Sequence, residues 1–142
     1  MVLNEVLRKY PLTIFLDRRC EGTYSFEETG LTIDKNVCVL IPIVGLHYDP
    51  EYYPDPEKFN PERFSPENKK NILPYTYLPF GDGPRTCIGQ RFALLVSKVA
   101  LVYCLKDFAF DVSETTKVPL ELDNSVSFIM NKGNLHLNVT RL

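Results

Sequence analysis

The proline-dense stretch at residues 49–66 restricts what this chain can fold into more than any other feature. Proline has no backbone N–H and its ring clashes with the preceding turn, so this stretch forms neither a long helix nor a central strand. Aromatic residues are interspersed with the prolines, which indicates an ordered loop rather than a flexible linker. A long ordered loop inside a compact domain usually carries a function or supports a functional part. The residues concerned are Pro50, Tyr52, Tyr53, Pro54, Pro56, Phe59, Pro61, Phe64 and Pro66.

Length, composition and charge indicate a single globular domain. The 142 residues are 44% hydrophobic and 24% charged, with a net charge of −2, which excludes a disordered chain and a nucleic-acid partner. No stretch reaches the ~20 apolar residues of a membrane span, and Glu5, Arg8 and Lys9 interrupt any signal-peptide core. The chain is therefore expected to be soluble, or to have its membrane anchor elsewhere. The four cysteines form no C-x-x-C pair, so neither a zinc site nor a disulfide framework is expected.

The hydrophobic pattern predicts an α+β fold. Helical spacing occurs at residues 2–10, where Pro11 ends the helix, and at residues 88–107. Cys38 and Cys104 are predicted to be packing thiols. The first helix has no capping residue at its start, which indicates a helix cut in two and hence a fragment. Short apolar or alternating runs predict strands at residues 12–16, 23–26, 31–33, 37–44, 118–122, 125–130 and 135–139, the last two flanking a hairpin turn at residues 131–133.

One cysteine lies in a loop of unusual composition, PFGDGPRTCIGQRF, at residues 79–92. Gly81 and Gly83 allow backbone conformations that other residues avoid, and they let the loop lie flat against a large planar partner. Cys87 follows at or just before a helix N-terminus, where unpaired N–H groups stabilise a thiolate. The loop therefore presents a thiol in a setting that favours its ionised form.

The loop alone leaves three interpretations of Cys87 open. It is an incidental cysteine of a structural loop, a nucleophile with His47 or His136 as its base, or an axial thiolate ligand of haem iron. A nucleophile needs only a base and an oxyanion site. A haem ligand also needs a flat apolar wall, cations for the propionates and a rigid support, and the sequence has candidates for all three.

The pattern Phe80-x-x-Gly83-x-Arg85-x-Cys87-x-Gly89 resembles the haem-binding signature of the cytochrome P450 monooxygenases. Two further segments, EVLR at residues 5–8 and PERF at residues 61–64, are similar to the E-x-x-R and P-E-R-F motifs of that family. The three motifs follow the family's order and cover nearly the whole chain. Microsomal and insect-like members are the most similar in style.

The resemblance implies that residues 1–142 are the C-terminal portion of a mostly α-helical P450 domain. In the family's terms, the portion comprises the end of the K helix, a β-rich segment, the proline-rich meander, the cysteine loop, the L helix and a C-terminal hairpin. The β-rich part is overrepresented in this portion. The fold class expected for the chain by itself is therefore α+β.

The resemblance also implies a haem-dependent monooxygenase, which inserts one oxygen atom of O2 into a lipophilic substrate. Cys87 would be the axial ligand of haem b, and its thiolate would push electron density into the iron and favour O–O cleavage. Phe80 would pack beside the haem, and Gly89 would leave room for a close neighbour. Arg85 and Arg18 would bind the haem propionates.

Three charged residues correspond to the family's structural brace. Glu5 and Arg8 are three residues apart on one helix face, and by themselves they would form a surface pair worth a few tenths of a kcal/mol. Arg63 as a third partner would make the brace a buried network that locks the proline-rich segment under the haem. His47 is interpreted as a packing residue or as the donor or acceptor of a structural hydrogen bond.

The resemblance places the remaining contacts at the two faces of the haem. NADPH would supply electrons through a reductase on the proximal face, where Arg91 and Lys98 are candidates for its contact; a solvated helix face explains these two residues equally well. The substrate side would be lined by apolar residues, for which simple core strands are the alternative. The lining residues would be Leu12, Thr13, Ile14, Phe15 and Phe128.

The chain lacks a segment similar to the family's long distal helix, which carries the acid–alcohol pair that relays protons to bound oxygen. We therefore expect no catalytic residue in the chain and no activity from it alone. The full-length protein is expected at the cytosolic face of the endoplasmic reticulum membrane, with its anchor outside this chain. The main alternative is a truncated, non-catalytic protein that binds haem or a partner, followed by a cysteine hydrolase.

Overall fold

The computed structural model describes residues 1–123 and 130–142, and its described part is a mixed helix-and-strand fold. Along the described chain, two helices of two or more turns and four two-stranded antiparallel sheets lie before and after a central region of turns. The mixed α+β class predicted from the sequence is confirmed. In chain order the elements are α1 Val2–Lys9, β1 Leu16–Arg19, β2 Tyr24–Ser25, β3 Thr32–Ile33, β4 Cys38–Ile41, α2 Ile43–His47, α3 Gln90–Asp107, β5 Phe108–Val112, β6 Leu122–Asp123, β7 Met130–Asn131 and β8 Leu137–Arg141.

Helix α1 is amphipathic in an unusual sense, because the face it buries is charged. Glu5 and Arg8 are fully buried, whereas Val2 and Val6 on the same helix are exposed. The helix ends at Lys9, just before Pro11, because proline cannot continue the hydrogen-bonded turn. The helix predicted at residues 2–10 is confirmed, with one residue fewer at its end.

The first half of the chain contains two small antiparallel sheets. Strand β1 pairs with β4, with Leu16 opposite Ile41 and Arg19 opposite Cys38, and β2 pairs with β3. Asn36 has a φ of 70° in the turn before β4, a conformation that asparagine tolerates better than most residues. The strand predicted at residues 12–16 is wrong, since β1 starts only at Leu16. The strand predicted at residues 37–44 is too long, because Pro42 ends β4 and α2 follows.

The proline-dense stretch forms consecutive turns and one short 3₁₀ helix, Pro61–Phe64, and contains neither a long helix nor a strand. The side chain of Asn60 accepts a hydrogen bond from the backbone N–H of Glu62 at 3.2 Å and so caps that helix. Tyr53 and Phe64 are buried there. The prediction of an ordered loop is therefore confirmed, although one of its aromatic residues, Phe59, is exposed.

Helix α3 is the longest element, and it starts two residues later than the predicted helix at residues 88–107. No residue of α3 is buried within the described part of the chain. Cys104 in α3 and Cys38 in β4 are both exposed, so the prediction that they are packing thiols is wrong for this chain. The physical reason is that the described residues place no element over the faces of α3 and β4 on which these thiols lie.

The C-terminal strands pair differently from the predicted hairpin. Strand β5, which the sequence pattern did not indicate, follows α3 directly and pairs with β8 over five residues, from Phe108 opposite Arg141 to Val112 opposite Leu137. Strand β6 pairs with β7. The predicted pairing of residues 125–130 with residues 135–139 is therefore wrong at its described end, since β7 pairs with β6 and β8 pairs with β5.

None of the helices in the described ranges is long and apolar enough to span a membrane.

Candidate functional site

The centre of the described structure is a charged cluster formed by Glu5, Arg8 and Arg63. Arg8 donates from Nε to Oε2 of Glu5 at 2.8 Å and from Nη2 to Oε1 at 2.9 Å, a two-pronged pair with both side chains fully buried. The Nε of Arg63 lies 3.6 Å from Oε1 of Glu5. The structure thus brings together the three residues that the family resemblance implied as partners.

The charged cluster reaches the proline-dense stretch through backbone groups. Oε1 of Glu5 accepts the N–H of Asn60 at 2.9 Å. Nη2 of Arg8 also donates to the carbonyl of Pro56 at 2.7 Å, and Arg63 donates from Nη2 to the carbonyl of Asp55 at 2.9 Å. The cluster therefore holds the backbone of the proline-dense stretch at Asp55, Pro56 and Asn60. The Nε of Arg63 is buried without a hydrogen bond.

His47, at the end of α2, belongs to the same centre, and the structural hydrogen bond that was one of its two interpretations is confirmed. It is fully buried, and its Nδ1 lies 3.0 Å from the carbonyl oxygen of Arg8. Its Nε2 accepts the backbone N–H of Leu78 at 2.9 Å, and its own carbonyl accepts Nη1 of Arg8 at 2.7 Å. The pKa of His47 is lowered to about 4, mainly by burial and also by the nearby Arg8 guanidinium, whereas a hydrogen bond to the Arg8 backbone acts to raise it.

Tyrosine rings enclose the charged cluster. The guanidinium carbon of Arg8 lies 5.5 Å from the ring centroid of Tyr48 and 5.4 Å from that of Tyr53, within cation–π range. Tyr77 stacks on His47 with centroids 5.4 Å apart and donates from its hydroxyl to the carbonyl of Asn4 at 3.0 Å. Burial raises the pKa of Tyr48 to about 12 and raises the pKa of Tyr77 as well. The shell is thus uncharged and excludes water from the ion pairs.

The cysteine loop, residues 79–89, has the backbone that its glycines predict. Gly81 and Gly83 have φ values of 72° and 76°, in the left-handed region that favours glycine. The N–H of Cys87 donates to the carbonyl of Phe80 at 2.9 Å and closes the loop. The 3₁₀ turn Gly83–Arg85 lies inside it. The conformation of the loop around Cys87 is therefore set by contacts within the loop.

The side chain of Cys87 is exposed and lies three residues before the first residue of α3. A Cβ built on Gly89 would meet only the sulfur of Cys87 within 4 Å, at 3.8 Å, and Ile88 is fully exposed. An accessible thiol, with open space beside it and an exposed apolar neighbour, fits the approach of a large planar group. The residues present are thus compatible with haem as the partner of this loop.

Two arginines are candidates for anionic groups of such a partner. A Cβ on Gly81 would lie 3.9 Å from Nη2 of Arg18 and 3.7 Å from Cδ1 of Leu16, so β1 approaches the cysteine loop closely. Arg18 donates from Nη1 to the carbonyl of Asp17 at 2.7 Å. Arg85 is exposed and makes no ion pair within residues 1–123 and 130–142. Both guanidinium groups therefore keep donors that a carboxylate can use.

The remaining predicted site residues are distributed as follows. Leu12 and Phe15 are exposed by 62% and 37%, and Thr13 and Ile14 are half-buried, with the carbonyl of Ile14 accepting the N–H of Val44 at 3.3 Å. Phe128 lies outside the described residues. Arg91 and Lys98 are exposed on α3.

The structure argues against His47 as the base of a nucleophilic cysteine. Both of its ring nitrogens are engaged in the hydrogen bonds to α1 and to Leu78, so neither is available to a thiol. His136 is exposed, and its backbone binds Thr116 in the C-terminal part of the chain. The sequence motifs indicated the charged cluster and the cysteine loop, but not that His47 joins them. The available signal was a lone histidine directly before the proline-dense stretch.

Comparisons with known proteins agree with this arrangement. The family model for cytochrome P450 matches residues 1–139. The chain is 54% identical over 123 residues to cytochrome P450 9e2 of Blattella germanica, covering 86% of this chain and 23% of that protein. It is 45% identical over 141 residues to the probable cytochrome P450 6a13 of Drosophila melanogaster, covering 99% and 29%. It is also 54% identical over 123 residues to cytochrome P450 3A27 of Oncorhynchus mykiss, covering 87% and 23%.

These matches cover nearly all of this chain but only part of each relative. The chain spans about a quarter of the length of the curated relatives it matches. Its own length, by contrast, is matched almost completely by the family model. The chain belongs to the cytochrome P450 family.

Proposed function

We propose that the protein to which these residues belong is a haem-dependent monooxygenase, with Cys87 as the axial ligand of the iron. The observation that carries the proposal is the exposed thiol of Cys87 at the end of a loop closed by its own backbone hydrogen bond to Phe80. Membership in the cytochrome P450 family supports the haem and the reaction class. Haem iron held by a thiolate activates O2, so that one oxygen atom enters the substrate.

The residues of the cysteine loop hold the haem in this proposal. Cys87 supplies the thiolate, and the missing side chain of Gly89 leaves the space beside the sulfur open. Phe80 packs against the ring, while Arg85 and Arg18 bind the propionates through charge-assisted hydrogen bonds. The close approach of Arg18 to Gly81 supports this pairing, because it places a guanidinium beside the loop.

The charged cluster of Glu5, Arg8 and Arg63 has an architectural role and takes no part in the chemistry. Its hydrogen bonds to the backbone of residues 55–60 fix the proline-dense stretch, which has no strand or helix ladder of its own over those residues. The stretch in turn leads into Leu78 and the cysteine loop. The cluster thereby keeps the loop in place when haem binds.

The substrate and the electron donor are proposed from the exposed surfaces and the family. The apolar side chains of Leu12, Ile14 and Phe15 favour a lipophilic substrate. Electrons come from NADPH through a reductase that docks on the proximal face, near Arg91 and Lys98. The proposed location is the cytosolic face of the endoplasmic reticulum membrane, where such a reductase and lipophilic substrates meet.

We further propose that residues 1–142 are the C-terminal portion of a single P450 domain, and that this portion alone is inactive. The short coverage of the relatives supports this, as do the many exposed apolar side chains of α3. The test is the mass of the native polypeptide, detected through a peptide that contains Cys87. A species several times heavier than 16.3 kDa is expected. A species of that mass would favour a short, non-catalytic haem- or partner-binding protein instead.

The role of Cys87 is tested by Cys87→Ser in the full polypeptide, with Cys104→Ser as the control for the loss of a thiol outside the cysteine loop. We expect Cys87→Ser to abolish the absorption signature of thiolate-ligated haem and the substrate oxidation, while Cys104→Ser keeps both. Retention of the thiolate signature in Cys87→Ser would contradict the proposal. Acyl transfer without any haem band would support a cysteine hydrolase.

A further inference from the structure

A continuous chain of hydrogen bonds runs from the charged cluster to the cysteine loop, and His47 is its middle link. Arg8 and His47 are joined twice, from Nη1 of Arg8 to the carbonyl of His47 and between Nδ1 of His47 and the carbonyl of Arg8. On its other side, the ring of His47 binds the N–H of Leu78. The carbonyl of Leu78 accepts the N–H of Gly81 at 3.1 Å, and the carbonyl of Phe80 accepts that of Cys87.

The partners of His47 fix its protonation state. The backbone N–H of Leu78 can only donate, so Nε2 must accept and carries no proton. The carbonyl of Arg8 can only accept, so Nδ1 must carry the proton of the neutral ring. A neutral imidazole with its proton on Nδ1 is therefore the one form of histidine that satisfies both contacts.

We propose that His47 is a positioning residue for the axial cysteine, because it ties the entry of the cysteine loop to helix α1 through the N–H of Leu78. This inference rests on the proposed role of Cys87 as the haem ligand. Packing alone does not require the arrangement, since an apolar side chain of the same volume would fill the space between Tyr77 and Tyr53. Such a side chain would leave the N–H of the buried Leu78 without a partner.

Two amide substitutions separate the two hydrogen bonds of His47. The amide of glutamine reaches the position of Nε2, so His47→Gln keeps an acceptor for Leu78 and loses the donor to Arg8. The amide of asparagine reaches only the position of Nδ1, so His47→Asn keeps the donor and loses the link to Leu78. Both remove the ring and its stacking on Tyr77, which makes each the control for the other. His136→Gln is the control for changing an exposed histidine.

The variants are compared in the haem-loaded full polypeptide by three measurements. These are the fraction of haem with the thiolate signature, the reduction potential, and the midpoint of thermal unfolding. We expect the ratio of thiolate-ligated haem to haem without this ligand to fall about tenfold in His47→Asn. In His47→Gln the same ratio should stay near the wild-type value. Equal spectra and potentials for the two variants, whatever their stabilities, would overturn the proposal.

Two further arms keep the test decisive. Where His47→Asn does not fold, the N–H of Leu78 is replaced by an ester oxygen, which removes the same hydrogen bond and leaves His47 in place. Loss of the thiolate signature then supports the proposal, and its retention overturns it. Cys87→Ser is measured in parallel: if that variant keeps the signature, the proposed role of Cys87 fails, whereas a failure confined to His47 leaves that role standing.

Discussion

Replacing Glu5 with glutamine tests the charged cluster most directly, because the change keeps the shape of the side chain and removes its charge. Glu5 is fully buried and accepts two hydrogen bonds from Arg8 and one from the N–H of Asn60, all between 2.8 and 2.9 Å. In Glu5→Gln the Arg8 guanidinium loses its buried counter-ion. One amide NH2 also faces donors of Arg8 or Asn60, since the neutral side chain has only one acceptor oxygen.

The expected loss of stability in Glu5→Gln follows from the burial of both Glu5 and Arg8. Removing one member of a buried ion pair costs about 3–5 kcal/mol, because the other charge is left without compensation in a medium that solvates it poorly. We therefore expect the free energy of unfolding of the full polypeptide to fall by this amount, measured by urea titration. Glu121→Gln is the matched control, since Glu121 pairs with Lys117 at 3.2 Å with both side chains mostly exposed, and it should cost less than about 1 kcal/mol.

A double substitution checks the physical reason. If the cost of Glu5→Gln comes from the uncompensated guanidinium, then Glu5→Gln combined with Arg8→Met should cost less than the sum of the two single changes. A loss below about 1 kcal/mol in Glu5→Gln, or equal losses in Glu5→Gln and Glu121→Gln, would refute the view of the cluster as a buried network. If the stability losses of the two single changes add exactly in the double variant, the explanation by an uncompensated charge is refuted, whereas the view of the cluster as a buried network is not.

Two further predictions concern pH and backbone strain. Because the pKa of His47 falls from 6.5 to about 4 on folding, its neutral form stabilises the native state fully above pH 6.5. That contribution, about 3 kcal/mol at most, should be lost as the pH falls toward 4, and His47→Gln should flatten the pH dependence of urea unfolding in this window. Gly81→Ala should lower the free energy of unfolding by about 1–2 kcal/mol, because φ at this position is positive, whereas the new methyl group would make only ordinary contact with Leu16 at 3.7 Å. Gly22→Ala, with a negative φ and nothing within 4 Å, should change it much less in the same assay.

The motifs and the longer elements were predictable from the sequence because each rests on local chemistry. Pro11 ends α1, Asn36 adopts positive φ, and the prolines keep residues 49–66 out of helices and strands, whatever surrounds them. The charged cluster was predictable only through the resemblance to a family. Spacing alone indicates no more than a surface pair of Glu5 and Arg8, since nothing local shows that they are buried.

The parts that sequence reasoning missed depend on non-local contacts. Strand β5 pairs with β8 at separations of 25 to 33 residues. The sequence pattern predicted a strand at residues 135–139, but nothing local in residues 108–112 indicated its partner. Cys38 and Cys104 lie in apolar runs, and an apolar run predicts burial only when another element covers it. In the described chain both of these thiols stay exposed. Burial is thus a property of the covering elements, and the sequence of the run itself does not contain it.

The path of the proline-dense stretch depends more on polar side chains than on apolar ones. A loop rich in prolines forms no ladder of backbone hydrogen bonds, so its carbonyls need other donors when they are removed from water. The carbonyls of residues 55–57 each accept from a different cation, namely Arg63, Arg8 and Lys9. Two of these donors lie on α1 and one lies within the loop's own 3₁₀ helix. The loop is therefore held by directional bonds to three side chains, which fix its path more narrowly than apolar contact would.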